Sequence, residues 1–307
     1  MTKVLIVGAG AIGGFYGSLL AQQGVEVSVV CRSEYQHIKD HGYQINSHIL
    51  GSWIFKPAHV LSSAAEYQDR ADYVILCTKI TEGLDRAKLI RPALSADTAV
   101  VFIQNGVDIE TEMLEAFPDH EVISGIAYIC CNRNGTGVVS HIDYGRLALG
   151  NVNSENTEKT RQLAEIINRS GIECQTVDNI IATRWQKCVW NAPFSPLSVL
   201  SGGLSTGQIL NTQEPLVRSI MAEVCAIAAA TGNPLPKDII ELNIASTQTM
   251  PPYKTSMLLD YEAERPMEIE AILGNTVRAA GRAGIKCPHL ENLYALMKLK
   301  ELALYQA

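Results

Sequence analysis

Hydrophobic positions in the first 150 residues alternate between two patterns. "KVLIVGAG" is apolar throughout and reads as a strand, "IGGFYGSLLAQQG" as a helix ending at Gly24, and "VEVSVVCR" as a second strand. "ADYVILCTK" and "TAVVFIQNG" repeat the form, each an apolar, β-branched run that ends in polar residues. Strands with no polar face, separated by helices, predict a parallel sheet covered on both sides. "EVISGIAYICC" and "GVVSHIDYGRLALGN" flank "NRNGTG", whose Asn-Gly is a turn signal, so an antiparallel hairpin extends the sheet. A helix over roughly 156–169 and a strand "IECQTV" follow. From Asp178 onward the periodicity is helical, interrupted by the Gly- and Pro-rich stretches "LSGGLSTGQ", "TGNPLPKD" and "TMPPYK". The chain therefore predicts a doubly wound α/β domain over 1–177 and an all-helical domain over 178–307.

Composition narrows the function classes. With 307 residues there is room for two cores, and a net charge of -7 without any Lys/Arg cluster argues against nucleic acid as a partner. Eight cysteines without a Cys-x-x-Cys pair give no support for zinc or thioredoxin-type chemistry, and no metal is expected. Most of them sit in apolar runs, which suits reduced, buried thiols in a cytoplasmic protein. The N-terminal run superficially resembles a signal peptide, but its first 24 residues hold six glycines, each costing a helix about 1 kcal/mol relative to alanine. A soluble protein without a membrane partner is expected.

Those glycines have another explanation. Gly8, Gly10 and Gly13 form "GAGAIG", with Ala11 and Ile12 completing the loop, directly after a strand and before a helix. In that context the first glycine makes the tight turn, the second admits a pyrophosphate, and the third lets helix pack on strand. The helix N-terminus then offers free N–H groups and a positive dipole end to phosphate. The domain is thus of Rossmann type. An NAD site wants a carboxylate at the end of the second strand, whereas this chain has Arg32 there, followed by Ser33. A guanidinium suits a 2′-phosphate, so NADP(H) is the expected cofactor, although Glu34 lies close enough to compete.

In the helical half, "TRWQKCVWNAPFSPLSVL" is mostly apolar, yet Lys187, Asn191 and Ser195 recur every fourth residue and share one helix face. A lysine inside a core is rare unless it is paired, and the alternatives are a structural ion pair or a stem that snorkels to the surface. Pro193 removes a backbone donor between Asn191 and Ser195 and should kink the helix, turning Ser195 away. His141 lies on a strand whose alternation suggests a surface or hinge position, and it is left out of the site.

Taken together, "GAGAIGG", "CTK", "QNG", "WQKCVWN" and the tail "SMLLDYEAERPMEIEAILGNTVRAAGRAGIKCP" resemble the ketopantoate reductase family over nearly the whole chain, in the family's order. The resemblance implies NADPH-dependent reduction of 2-dehydropantoate to (R)-pantoate, a step in making pantothenate. It implies that Lys187 is the general acid to the keto oxygen and that Asn191 binds substrate. Asn105 lies at the cleft between domains, touching substrate and cofactor; Ser256 and Glu268 hydrogen-bond the substrate, and Lys79 lies near the cofactor. Chemistry would occur in that cleft. Read without the family, Asn105 is equally an Asn-Gly turn, and Glu268, after Pro266, a helix cap favoured by the dipole. Lys187 closes physically too, because hydride addition to a ketone leaves a developing alkoxide that needs a positive donor and a proton. Ser195 departs from the family, which usually has a second asparagine there. A hydroxyl is shorter than an amide, so another 2-oxo or 2-hydroxy acid is an alternative substrate, and a non-catalytic NADP-binding regulator is an alternative of another class. The C-terminal "HLENLYALMKLKELALYQA" has an apolar face that fits either a monomer or a homodimer.

Overall fold

Each apolar run of the first half becomes a strand. A computed structural model describes residues 1–250 and 254–306; Pro251, Pro252 and Tyr253, from the third helical interruption, and Ala307 lie outside the described residues. The order is β1 (Lys3–Val7), α1 (Ala11–Gln22), β2 (Glu26–Val30), α2 (Tyr35–His41), β3 (Tyr43–Ser47), β4 (Gly51–Phe55), β5 (Val60–Leu61), β6 (Tyr73–Leu76), α3 (Arg86–Ile90), β7 (Ala99–Ile103) and α4 (Thr111–Ala116). The hairpin β8 (Val122–Arg133) and β9 (Val138–Asn151) follows, then α5 (Glu158–Arg169) and β10 (Cys174–Thr176). The second half is helical: α6 (Ile180–Leu200), α7 (Thr206–Ala230), α8 (Ile239–Thr249), α9 (Ser256–Glu262), a π-turn over Glu270–Gly274, α10 (Asn275–Ala283) and α11 (Pro288–Gln306).

Among the described residues one sheet runs β4-β3-β9-β8-β7-β6-β1-β2-β5, with β10 also on β9. From β5 to β8 every neighbour is parallel; β8 and β9 pair antiparallel, as the Asn-Gly turn predicts. The long β9 gives Val138–His141 to β3 and Leu147–Leu149 to β10. The sequence pattern does not resolve β3 to β5: β3 alternates over only five residues, β4 is largely exposed, and β5 spans two residues.

Two compact units result. The first comprises Met1–Lys79, Leu84–Gln104 and Glu110–Ile180; the second comprises Ile80–Gly83, Asn105–Ile109 and Ile181–Ala307. In the first, α1 is buried from Gly13 to Leu20, because glycines on its sheet-facing side bring it close to β1. In the second, α6 buries Trp185, Val189, Phe194 and Val199. Burying side chains of this kind stabilises by about 1.5–3 kcal/mol each, which offsets the donors lost at Pro193 and Pro196. Helix α6 continues through both Pro193 and Pro196, and Ser195 between them is buried. No described helix is long and apolar enough to cross a membrane.

Candidate active site

In the first unit, β1 delivers the chain into the glycine loop. Gly8 has φ +92°, and a Cβ there would lie 2.6 Å from the Thr78 nitrogen, so glycine is required on both counts. A Cβ on Gly13 would meet the Gly8 carbonyl at 2.6 Å and Ile6 at 2.8 Å, which is the close helix–strand contact expected of the third glycine. Gly10 instead faces open space, with nothing within 4 Å of its Cβ position. It precedes α1, whose first turn, starting at Ala11 and Ile12, carries no acidic residue. Open backbone at the second glycine and bare N–H groups behind it suit a pyrophosphate, so these residues fit a dinucleotide. Lys79 is half-buried and follows Thr78. Thr78 is held by a contact the sequence did not reveal: its carbonyl accepts from Gln104 Nε2 at 2.6 Å. Gln104 Oε1 in turn accepts from the buried Arg86 at 3.1 Å, whose guanidinium also grips Glu112 at 2.7 Å.

At the end of β2 the Val30 carbonyl accepts from the Gly8 and Ala9 nitrogens, both at 3.4 Å, which ties this strand end to the loop. Arg32, two residues on, is exposed and has no ion pair among the described residues. Glu34, expected close enough to compete, is buried and ion-paired with Arg133. His141 is corrected outright: it is 2% exposed, not at the surface. Its ring lies 4.4 Å from that of Phe15 at a tilt of 41°, Nε2 donates to the Tyr144 carbonyl at 3.0 Å, and Nδ1 pairs with the Ser47 hydroxyl at 2.9 Å. A histidine with both nitrogens satisfied can take an inward position of β9, and register shifts beside Ile129 and Cys131 blur the alternation that sequence reading relies on.

In the second unit, Lys187, Asn105 and Glu268 form one hydrogen-bonded chain. Lys187 Nζ donates to Asn105 Oδ1 at 2.8 Å, and Asn105 Nδ2 donates to Glu268 Oε2 at 3.0 Å. Only this amide orientation works, since reversing it would set NH2 against an ammonium and a carbonyl against a carboxylate. Glu268 is 8% exposed, and its other oxygen accepts from the Ile80 backbone nitrogen at 3.3 Å. Its carboxylate therefore faces Asn105 and Ile80, although Glu268 also starts the following helix, where Ile272 N donates to its carbonyl at 3.2 Å.

The backbone explains how residues so distant in sequence meet. Gly106 has φ +105°, and a Cβ there would sit 2.6 Å from the Ala271 carbonyl; Val107 N donates to that same carbonyl at 3.1 Å. The Asn-Gly pair is thus a turn pressed against the segment that carries Glu268. Arg184, buried one turn before Lys187, donates to the Gly106 carbonyl at 3.2 Å, and Asn275 Nδ2 donates to Val107 at 2.7 Å. Arg184 and Ile80 were not singled out from sequence; a buried arginine three residues before the lysine was the available signal for the first, and a backbone donor leaves none.

Asn191 and Ser195 continue the Lys187 face of α6 and are 7% and 2% exposed. Asn191 has no side-chain hydrogen bond among the described residues. Ser256 opens α9 and is exposed, outside the Lys187 chain; its neighbour Thr255 caps α9 and shares a 2.6 Å hydrogen bond with Ser198 of α6. The thiols stand apart from this chemistry. All eight are free, and burial pushes Cys188, next to Lys187, up to about 11 and Cys77 up to about 12, so both are neutral at ordinary pH.

Comparison with known proteins places the chain in a family. The family model described as ketopantoate reductase PanE/ApbA matches residues 4–154, and its C-terminal counterpart matches residues 179–301. The crystal structure of 2-dehydropantoate 2-reductase from Methylococcus capsulatus is similar at TM-score 0.93 and 54% identity, covering 98% of this chain and 97% of that one. A 2-dehydropantoate 2-reductase from Nostoc sp. is 32% identical over 96% of this chain and 94% of its own. D-mandelate dehydrogenase, solved with NADH and anilino(oxo)acetate, is similar at TM-score 0.87 and 26% identity, covering 99% and 100%. Matched over both halves, the chain belongs to the ketopantoate reductase family of oxidoreductases.

Proposed function

We propose that this protein reduces 2-dehydropantoate to (R)-pantoate with NADPH, in the cytoplasm, as a step of pantothenate synthesis. The observation that carries the proposal is the chain Lys187–Asn105–Glu268. NADPH held at the glycine loop, with Arg32 toward its 2′-phosphate, supplies the hydride. Lys187 donates a proton to the keto oxygen as negative charge develops on it. Asn105 fixes the ammonium through Oδ1, and Glu268 fixes Asn105, so the donor is oriented before substrate arrives. Asn191 and Ser195 are the candidates to hold the remaining substrate oxygens, because a buried polar group needs a partner; for the exposed Ser256 only the family resemblance supports that role.

The experiment is Lys187→Ala. Turnover should fall by about 10²–10⁴, the usual worth of a positioned general acid, while NADPH affinity is retained. Undiminished turnover would refute the mechanism. A second reading, a different 2-oxo acid as substrate, is favoured by Ser195, whose hydroxyl is shorter than the amide expected there and leaves room for a bulkier side chain. It predicts a higher kcat/KM for a larger 2-oxo acid in the same assay.

A further inference from the structure

We propose that Arg133 is a specificity-determining residue for the cofactor: by holding the Glu34 carboxylate in an ion pair, it clears negative charge from the ribose end of the nucleotide site and leaves Arg32 to the 2′-phosphate. This rests on the NADP reading above. A carboxylate just beyond the second strand is what accepts ribose hydroxyls in an NAD site, and it repels a phosphate on that ribose. Glu34 stands two residues after Arg32, so an unpaired Glu34 would oppose the selectivity that Arg32 confers.

The structure shows where that charge goes. Glu34 is 9% exposed, and its carboxylate does not cap its own helix; only its backbone carbonyl does so, accepting from Ile38 N at 2.9 Å. The carboxylate pairs with Arg133, whose side chain is 34% exposed. Arg133 ends β8 opposite Val139, which packs 3.2 Å from the Cβ position of Gly14 in α1. Tyr43, which opens β3, is tied to the loop by its hydroxyl, which donates to the Ala9 carbonyl at 3.0 Å. Two arginines therefore divide the work, one exposed and without an ion pair among the described residues, the other committed to the carboxylate.

The test is a cycle of variants of the full-length protein, titrated with NADPH and NADH by fluorescence. Arg133→Ala should lower the preference for NADPH by about tenfold or more, chiefly through weaker NADPH binding. Arg133→Gln keeps a donor for Glu34 and so protects the fold; it should show the same loss at reduced size. In a Glu34→Gln background, which has no carboxylate to release, adding Arg133→Ala should change the ratio by less than about twofold. An unchanged ratio in both single Arg133 variants would overturn the inference. So would an equal loss of NADPH affinity in the Glu34→Gln background, since Arg133 would then act on the phosphate directly. Equal affinity of the unaltered protein for NADH and NADPH would instead refute the NADP reading.

Discussion

Replacing Asn105 with leucine keeps the side-chain shape and removes both hydrogen bonds that join Lys187 to Glu268. Each involves a charged partner, at 2.8 Å to the ammonium and 3.0 Å to the carboxylate, and such bonds are worth about 1.5–3 kcal/mol. Water can replace part of that loss because Asn105 is only half-buried, so the lower end of the sum, about 3 kcal/mol, is the expected effect on the transition state. At 1.36 kcal/mol per factor of ten this is about a hundredfold in kcat/KM. The assay is steady-state NADPH oxidation with 2-dehydropantoate, with thermal unfolding as a control for the fold. Glu268→Gln examines the same chain from its other end. Two donors, Ile80 N and Asn105 Nδ2, converge on the carboxylate, and an amide has only one acceptor oxygen to offer them. If both variants fold and retain the original kcat/KM, the hydrogen-bonded chain plays no part in catalysis.

Other consequences can be measured separately. Arg32→Ala should weaken NADPH binding by about 1–3 kcal/mol and leave NADH nearly untouched; equal weakening would refute its 2′-phosphate role. Gly10→Ala should fold normally, because its Cβ meets nothing within 4 Å, yet bind cofactor poorly; Gly13→Ala should lower Tm, because its Cβ strikes the Gly8 carbonyl. The pattern is contradicted if Gly10→Ala binds NADPH normally. Burial lowers the proton affinity of His141 below its ordinary 6.5, with the Tyr144 carbonyl opposing. Below that pH the unfolded chain binds more protons than the folded one, so this contribution to stability is complete above 6.5 and lost as pH falls toward the depressed folded value. Tm followed from pH 8 to 5 should therefore decline, and less steeply in His141→Gln; identical slopes would remove His141 as the cause.

What was legible in the sequence depended on range. Continuous apolar runs such as Val4–Val7 and Val100–Ile103 announce buried parallel strands, and "GAGAIG" between strand and helix announces its loop, because each is a local pattern with one steric solution. The short β3 and β4 are not legible, since five alternating residues in β3 and a mostly exposed β4 give too little pattern to set a strand apart from a loop. Pro193 announces a lost backbone donor, and helix α6 nonetheless continues through it. His141 was misplaced because a polar side chain says nothing of partners such as Ser47. Lys187, Asn191 and Ser195 were visible as a helix face, but the link from Lys187 through Asn105 to Glu268 joins three distant segments. It emerges only when Gly106 presses its turn onto Ala271. The Glu34–Arg133 pair is non-local in the same way, and without it Glu34 looks like a competitor of Arg32.

NADPH-dependent reduction of 2-dehydropantoate is the part of the proposed function on which the rest depends. The most direct measurement is the rate of NADPH oxidation by the purified protein, read by absorbance, with 2-dehydropantoate set beside a panel of other 2-oxo acids. Turnover with a clear preference in kcat/KM for 2-dehydropantoate is the result expected of the proposed function. Tight NADPH binding with no turnover of any 2-oxo acid would contradict it and leave a nicotinamide-binding regulator in its place.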